Sequence, residues 1–141
     1  MLRTLAPEEV DAVIVDDPVR PHISAEWRTA NGRQVFTLSD NDTVRAVVCV
    51  AFCDSIPETE DDMNCVGNSV CVFYTVWSYD RGAGREIIFA VQEHLSRIMP
   101  NIDRWITLSP LTEMAERFHI RNGATLLRKG ARCQNFEYPC V

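Results

Sequence analysis

Lysine is nearly missing from this 141-residue chain: Lys129 is the only one among its 14 basic residues. With 20 acidic residues the formal net charge is −6. That excludes a general nucleic-acid binder, whose affinity rests on many cationic phosphate contacts, but leaves room for one local anion site. Long apolar runs are missing too. The run over residues 46–52 falls far short of the roughly 20 residues that a membrane helix needs. No basic-then-apolar leader opens the sequence, so the expectation is a cytoplasmic protein with no membrane partner. No Cys-x-x-Cys occurs, and His22, His94 and His119 stand at no ligand spacing from any cysteine; no metal site is expected. A Gly-Lys-Ser/Thr phosphate loop and a full Gly-x-Gly-x-x-Gly dinucleotide fingerprint are also lacking.

What remains is an ordinary globular composition, 46% hydrophobic and 24% charged, which excludes a wholly disordered or collagen-like chain. The length fits a single domain over residues 1–141 with a core of its own. Six cysteines, Cys49, Cys53, Cys65, Cys71, Cys133 and Cys140, would suit a disulfide framework in a secreted chain. Cys49 and Cys71 stand inside apolar runs and read as small core residues. Without an export signal, a reducing compartment is expected.

Turn and cap signals divide the chain. Residues 3–5 read as a short strand, and Pro7-Glu8-Glu9 opens a helix whose Val10, Val13 and Ile14 follow helical spacing. Residues 19–30, which hold His22 and Trp27, show no clear period. Asn31-Gly32 is a turn, and residues 34–39 and 43–52 form a hairpin about Asp40-Asn41-Asp42. Residues 54–69 are an acidic loop with Glu58, Glu60, Asp61 and Asp62. Residues 70–79, apolar on both faces, read as a central strand. A helix is predicted over 86–98, with Ile87, Ile88, Val91, Leu95 and Ile98 on one face. Residues 105–108 are another strand, 112–121 a helix capped by Gly123, and 125–127 with 135–138 a closing hairpin. The order predicts an α/β fold of the mixed α+β kind, a central and mostly antiparallel sheet of six to seven strands flanked by helices.

Chemistry concentrates in Arg81-Gly82-Ala83-Gly84-Arg85, between the central strand and its helix. The first turn of a helix presents unpaired N–H groups and a positive dipole end. Gly82 and Gly84 let a ligand approach the backbone, while Arg81 and Arg85 add charge-assisted, bidentate bonds. These residue types suit a phosphate; such turns are also common connectors.

Residues 73–95, FYTVWSYDRGAGREIIFAVQEHL, resemble the central motif of the GNAT superfamily of N-acetyltransferases. Residues 105–127, WITLSPLTEMAERFHIRNGATLL, are similar to the family's next strand and helix, with Ala115, Phe118 and Gly123 at matching spacing. The resemblance implies a GNAT-like fold with acetyl-CoA as cosubstrate. The cofactor-binding set it implies is Trp77, Ser78, Tyr79, Arg81, Gly82, Ala83, Gly84, Arg85 and Glu86, with the pyrophosphate on residues 81–85. A backbone N–H near Trp77 to Tyr79 would be the oxyanion donor. Glu86 stands where the family keeps Gly or Ala; a carboxylate about 6 Å from the pyrophosphate would cost roughly 3 kcal/mol per charge pair at an effective dielectric of about 20. Turned to solvent it would only favour the helix dipole. His119 stands where many members keep a tyrosine that protonates the departing thiolate, which makes it the candidate general acid. The alternative is a partly exposed helix histidine with no role. Trp27 and Tyr74 are the candidate substrate contacts, Tyr74 also reading as core or groove wall. No base is identified, and the acids of residues 58–62 either attract a cationic amine or form a solvated loop.

Two functions follow from this likeness. The first is acetyl transfer from acetyl-CoA to a primary amine, small molecule or peptide, directly within a ternary complex. Arg81, Gly82, Gly84 and Arg85 favour it. The second is a GNAT-fold protein without transfer activity, kept as a binding or structural part, which Glu86, His119 and the missing base favour. Residues 116–127 are faintly similar to GNAT-like proteins of tailed phages, some of them virion components, which would place the chain in a host cytoplasm or a virion. A homodimer contact would use the C-terminal strands.

Overall fold

Asn41 and Asp42 both adopt positive φ, and the tight turn they make joins β2 (Gln34–Asp40) to β3 (Thr43–Cys53). The computed structural model describes residues 1–141. β1 (Leu2–Thr4) lies antiparallel on β2, and β4 (Val70–Ser78) antiparallel on β3. β5 (Arg104–Thr107) then pairs with β4 in parallel. β8 (Cys133–Tyr138) runs antiparallel to β5 and also carries β6 (Ser109–Pro110) and β7 (Thr125–Lys129). The sheet is mixed and mostly antiparallel, as the element order predicts, with eight strands in place of six to seven. The added strand is β6, two residues long and too short to carry an alternating pattern.

Four helices flank the sheet: α1 (Pro7–Val13), α2 (Ala25–Thr29), α3 (Ala83–Ile98) and α4 (Glu113–Arg121). α1 has no side-chain cap at Ala6; the Glu9 carboxylate instead reaches back to the Ala6 N–H at 2.9 Å. α2 falls in the segment without a period. Five residues show no amphipathic repeat, and a cap decides the conformation: Ser24 Oγ accepts from the Trp27 N–H at 3.1 Å. α3 begins at Ala83, ahead of the apolar pattern that marks it from residue 86, because Ala83 and Gly84 are small enough to be buried at its first turn.

The sheet separates two cores. Phe36, Val48, Phe73, Ile88, Val91 and Leu95 fill the α3 side, and Val10, Ile14, Val35, Val47, Val72 and Tyr74 fill the other. β4 contributes to both, which explains why its sequence is apolar on both faces. Each of these fully buried aliphatic or aromatic side chains contributes about 1.5–3 kcal/mol of transfer free energy. No helix is long and apolar enough to cross a membrane.

Candidate active site

β4 and β5 run together only from Val70, opposite Arg104, to Phe73, opposite Thr107. The last link is the Leu108 N–H to the Phe73 carbonyl at 3.0 Å. Beyond it the chain turns onto β8 as β6, while β4 continues paired with β3 alone. β4 is also bulged: Thr75 faces Cys49 and Phe73 faces Val50, so Tyr74 is the extra residue. The bulge reverses the side-chain alternation, so that Val76 packs on the α3 side and Trp77 on the opposite one. The Tyr79 N–H is bonded to the Arg45 carbonyl at 2.8 Å, and Trp77 pairs with Val47. Antiparallel alternation therefore turns the N–H groups of Val76 and Ser78 to the open edge.

This parting leaves a cleft of about 620 Å³. One wall is β4, with Val76, Trp77 and Ser78; the other is Pro110 and α4, with Met114, Ala115, Phe118 and His119. Pro18 and Val19 close the end towards the N-terminal segment.

A buried ionic network sets the bulge. The Arg20 guanidinium, 1% exposed, donates to the Tyr74 carbonyl that the bulge has released from the ladder, and to Thr75 Oγ1 at 3.3 Å. Glu60 accepts from its Nε at 3.0 Å. Beneath it Arg28 and Asp17 form a 2.7 Å ion pair with no exposure on either side. The second Asp17 oxygen accepts from the N–H groups of Val19 and Arg20, both at 2.8 Å. No local pattern reveals this set, because Arg20 meets Glu60, Tyr74 and Thr75, which lie 40, 54 and 55 residues away.

At the other end of the exposed β4 edge lies the glycine turn. Gly82 is the N-cap of α3 with φ 82° and nothing within 4 Å of the place a Cβ would take. Gly84 has no such room: a Cβ there would stand 3.3 Å from the Phe118 ring. The N–H groups of Gly82, Gly84 and Arg85 find no backbone acceptor. Arg81 is exposed and takes part in no ion pair, and Arg85 donates to the Arg121 carbonyl at 3.3 Å.

His119 is buried, not half-exposed. Its Nδ1 lies 2.7 Å from the Tyr138 hydroxyl, which also accepts from Asn122 Nδ2 at 3.3 Å. In the neutral ring one nitrogen donates and the other accepts, and the Tyr138 hydroxyl takes the role complementary to that of Nδ1. Burial pushes the imidazole down to about 4, so at neutral pH it is an N–H donor and not an imidazolium.

No protein-family model and no curated protein matches the chain. Solved structures do. An acetyltransferase assigned to the GNAT family from Desulfovibrio desulfuricans superposes with a TM-score of 0.67 at 12% identity, over 100% of this chain and 99% of that one. The loading GNATL domain of CurA from Lyngbya majuscula gives 0.72 at 12% identity, over 99% and 96%. The chain has the GNAT fold. Malonyl-CoA decarboxylase from Rhodopseudomonas palustris contains the same fold, with a TM-score of 0.76 at 16% identity over 99% of this chain and 59% of that one. The chain spans 33% to 59% of the length of the malonyl-CoA decarboxylases it matches. At these identities the likeness is one of fold.

Within this GNAT fold the candidate residues divide. Tyr74, Trp77, Ser78, Gly84 and His119 line the cleft. Arg81, Gly82, Ala83 and Arg85 form the turn beside it. Tyr79 is committed elsewhere: its N–H serves the sheet, and its hydroxyl donates to Asp16 at 2.6 Å and accepts from Trp77 Nε1 at 3.0 Å. The free N–H groups are thus those of Val76 and Ser78, not of Trp77 or Tyr79. Glu86 neither faces solvent unpaired nor stands alone; Arg45 holds its carboxylate at 3.2 Å, and Asp80 at 3.0 Å. Trp27 does not reach the cleft. Its ring meets Tyr74 edge-on at 5.6 Å, its Nε1 donates to Asn64 at 2.9 Å, and Arg33 covers its face at 3.8 Å. The acidic loop is engaged within the protein: Glu58 pairs with Arg128 at 2.9 Å, and Asp62 accepts from the N–H groups of Glu58 and Thr59. Arg20, Val76, Pro18, Val19 and Met114 are the residues that sequence reasoning missed.

Proposed function

We propose that the protein is an acyltransferase that moves the acetyl group of acetyl-CoA to a primary amine directly, within a ternary complex. The observation that carries this reading is the parting of β4 from β5, which aims the N–H groups of Val76 and Ser78 into an apolar cleft ending at a glycine turn. Acetyl-CoA supplies the activated thioester. The Val76 N–H is placed to stabilise charge developing on the thioester oxygen, in a site where low dielectric strengthens it. The free N–H groups of Gly82, Gly84 and Arg85, with the Arg81 and Arg85 guanidiniums, suit a pyrophosphate. Glu86 is held to Arg45, a cation it shares with Asp80, and is half-exposed, so its repulsion on a pyrophosphate is reduced and screened. His119 lines the cleft as a neutral imidazole able to hydrogen-bond the departing sulfur, and a thiol with a pKa of about 8.5 needs little more help to leave.

Calorimetric titration with acetyl-CoA at low and moderate salt tests the reading. Micromolar binding that weakens with salt is expected, and Arg81→Ala with Arg85→Ala should weaken it at least about tenfold, the loss of roughly 1.4 kcal/mol. No binding at millimolar acetyl-CoA would sink it.

A second reading is decarboxylation of a malonyl thioester. It is favoured by a cleft lining without Asp or Glu, with the buried cation Arg20 on Tyr74 and Thr75 behind it. Loss of carbon dioxide from malonyl-CoA, with the C–C electron pair left on the thioester, would give an enolate for the same Val76 N–H, and a proton from water would then complete acetyl-CoA. Acetyl-CoA forming from malonyl-CoA without any acceptor is its signature.

A further inference from the structure

We infer that the acceptor is an amine that is uncharged at neutral pH, such as an arylamine, and not an alkylammonium. This rests on the acetyl-transfer reading and names the substrate class of that same cleft. The 16 residues lining the cleft include no Asp, Glu, Lys or Arg. His119 is the one lining side chain that could act as a base near neutral pH. Its Nδ1 is occupied by the Tyr138 hydroxyl, and burial disfavours its protonated form.

The carboxylates around the cleft are already engaged. Asp17 is paired with Arg28, Glu60 with Arg20, and Glu58 with Arg128. Asp16 accepts from the Tyr79 hydroxyl. The charged group nearest the bulge is a cation, since Arg20 bonds both Tyr74 and Thr75, which line the cleft. An alkylammonium would enter apolar surroundings without a counter-charge. With a pKa of about 10.4, on the order of one molecule in a few thousand is neutral at pH 7. An arylamine arrives neutral, with its lone pair free. Phe73, Trp77 and Phe118 line the cleft and suit a planar ring.

The reaction balances without a protein base. The nitrogen lone pair forms the C–N bond, the C–S bond breaks with its electron pair on sulfur, and the proton released by nitrogen ends on that sulfur. The products are the N-acetylarylamine and the CoA thiol.

The experiment compares 4-methylaniline with 4-methylbenzylamine at pH 7, with saturating acetyl-CoA whose binding is measured separately, following both thiol release and the acetylated product. At least a tenfold higher kcat/KM for the aniline is expected. Equal or faster acetylation of the benzylamine, with acetyl-CoA bound, would overturn this inference and leave acetyl transfer standing. Acetylation of neither amine would overturn the transfer reading and the inference together. Val19→Glu sets a carboxylate at the cleft and should move the aniline-to-benzylamine ratio at least tenfold towards the benzylamine. An unchanged ratio in a variant with wild-type melting behaviour would refute the claim that the missing carboxylate sets the preference.

Discussion

Acidification should destabilise this protein through one side chain before it reaches any carboxylate. Burial pushes His119 down to about 4, whereas in the unfolded chain its imidazole titrates near pH 6.5. Between these values the unfolded state binds a proton that the folded state refuses, so stability falls as the pH falls through that window. A displacement of about 2.5 units, at about 1.4 kcal/mol each, makes the loss about 3 kcal/mol by pH 4. That is a large share of the 5–15 kcal/mol or so typical of a domain. Asp54, held low by the N–H of Asn68 and by Ser69, and Glu137, held low by Arg104, act in the same direction. Their contributions fade only from about pH 4 downwards, where unfolded carboxylates begin to protonate. Urea unfolding of the wild type and His119→Phe from pH 4.5 to 7.5 separates the two. The wild-type slope should approach about 1.4 kcal/mol per pH unit, the value for one proton, with a much flatter line for the variant. Parallel curves would mean that the folded protein accepts the proton on His119, and the reasoning from burial would fail.

Arg28→Met leaves Asp17 charged and unpaired in the interior, and should cost about 3–5 kcal/mol in urea unfolding; a loss under about 1 kcal/mol would show that the aspartate finds water or takes a proton. Glu86→Gln should change acetyl-CoA affinity less than about threefold, because the half-exposed carboxylate is screened by solvent and held to Arg45, while Arg45→Ala, which frees both Asp80 and Glu86, should weaken binding more. A tenfold gain on Glu86→Gln would place the carboxylate against the ligand. Gly84→Val pushes against Phe118, 3.3 Å from the first added carbon, and should reduce acetyl-CoA affinity with a modest stability loss of about 1–3 kcal/mol; unaltered affinity in calorimetry would detach Gly84 from the cleft.

The periodic parts of the fold were legible. α3 shows its buried face at Ile87, Ile88, Val91 and Leu95, and β4 its central place through residues apolar on both sides. The glycine turn was legible as a place where a helix starts with bare N–H groups. What was not legible depends on distance in the chain. Glu86 reads as a threat to an anion until Arg45, 41 residues earlier, is seen beside it. Tyr79 looks available until its hydroxyl is found on Asp16. The bulge at Tyr74 has no marker of its own, since an extra residue in a strand declares itself only against its partner's register. Arg20 could be recognised as its counterpart only with both segments in place.

The Arg20 bond to the Tyr74 carbonyl joins residues 54 apart, and it orders the assembly of the molecule in time. During synthesis Arg20 emerges well before β4, the strand it serves. Val10 and Ile14 can already cover Val35 and Val47 of β2 and β3, but the Arg20 guanidinium waits in water until β4 brings the Tyr74 carbonyl to it. The opening between β4 and β5 is therefore completed late, by the docking of the oldest part of the nascent chain onto one of the middle strands. Long loop closure of this kind slows folding. Substitutions in the network should accordingly lengthen the refolding of the cleft edge more than that of the β2–β3 hairpin, whose contacts are local.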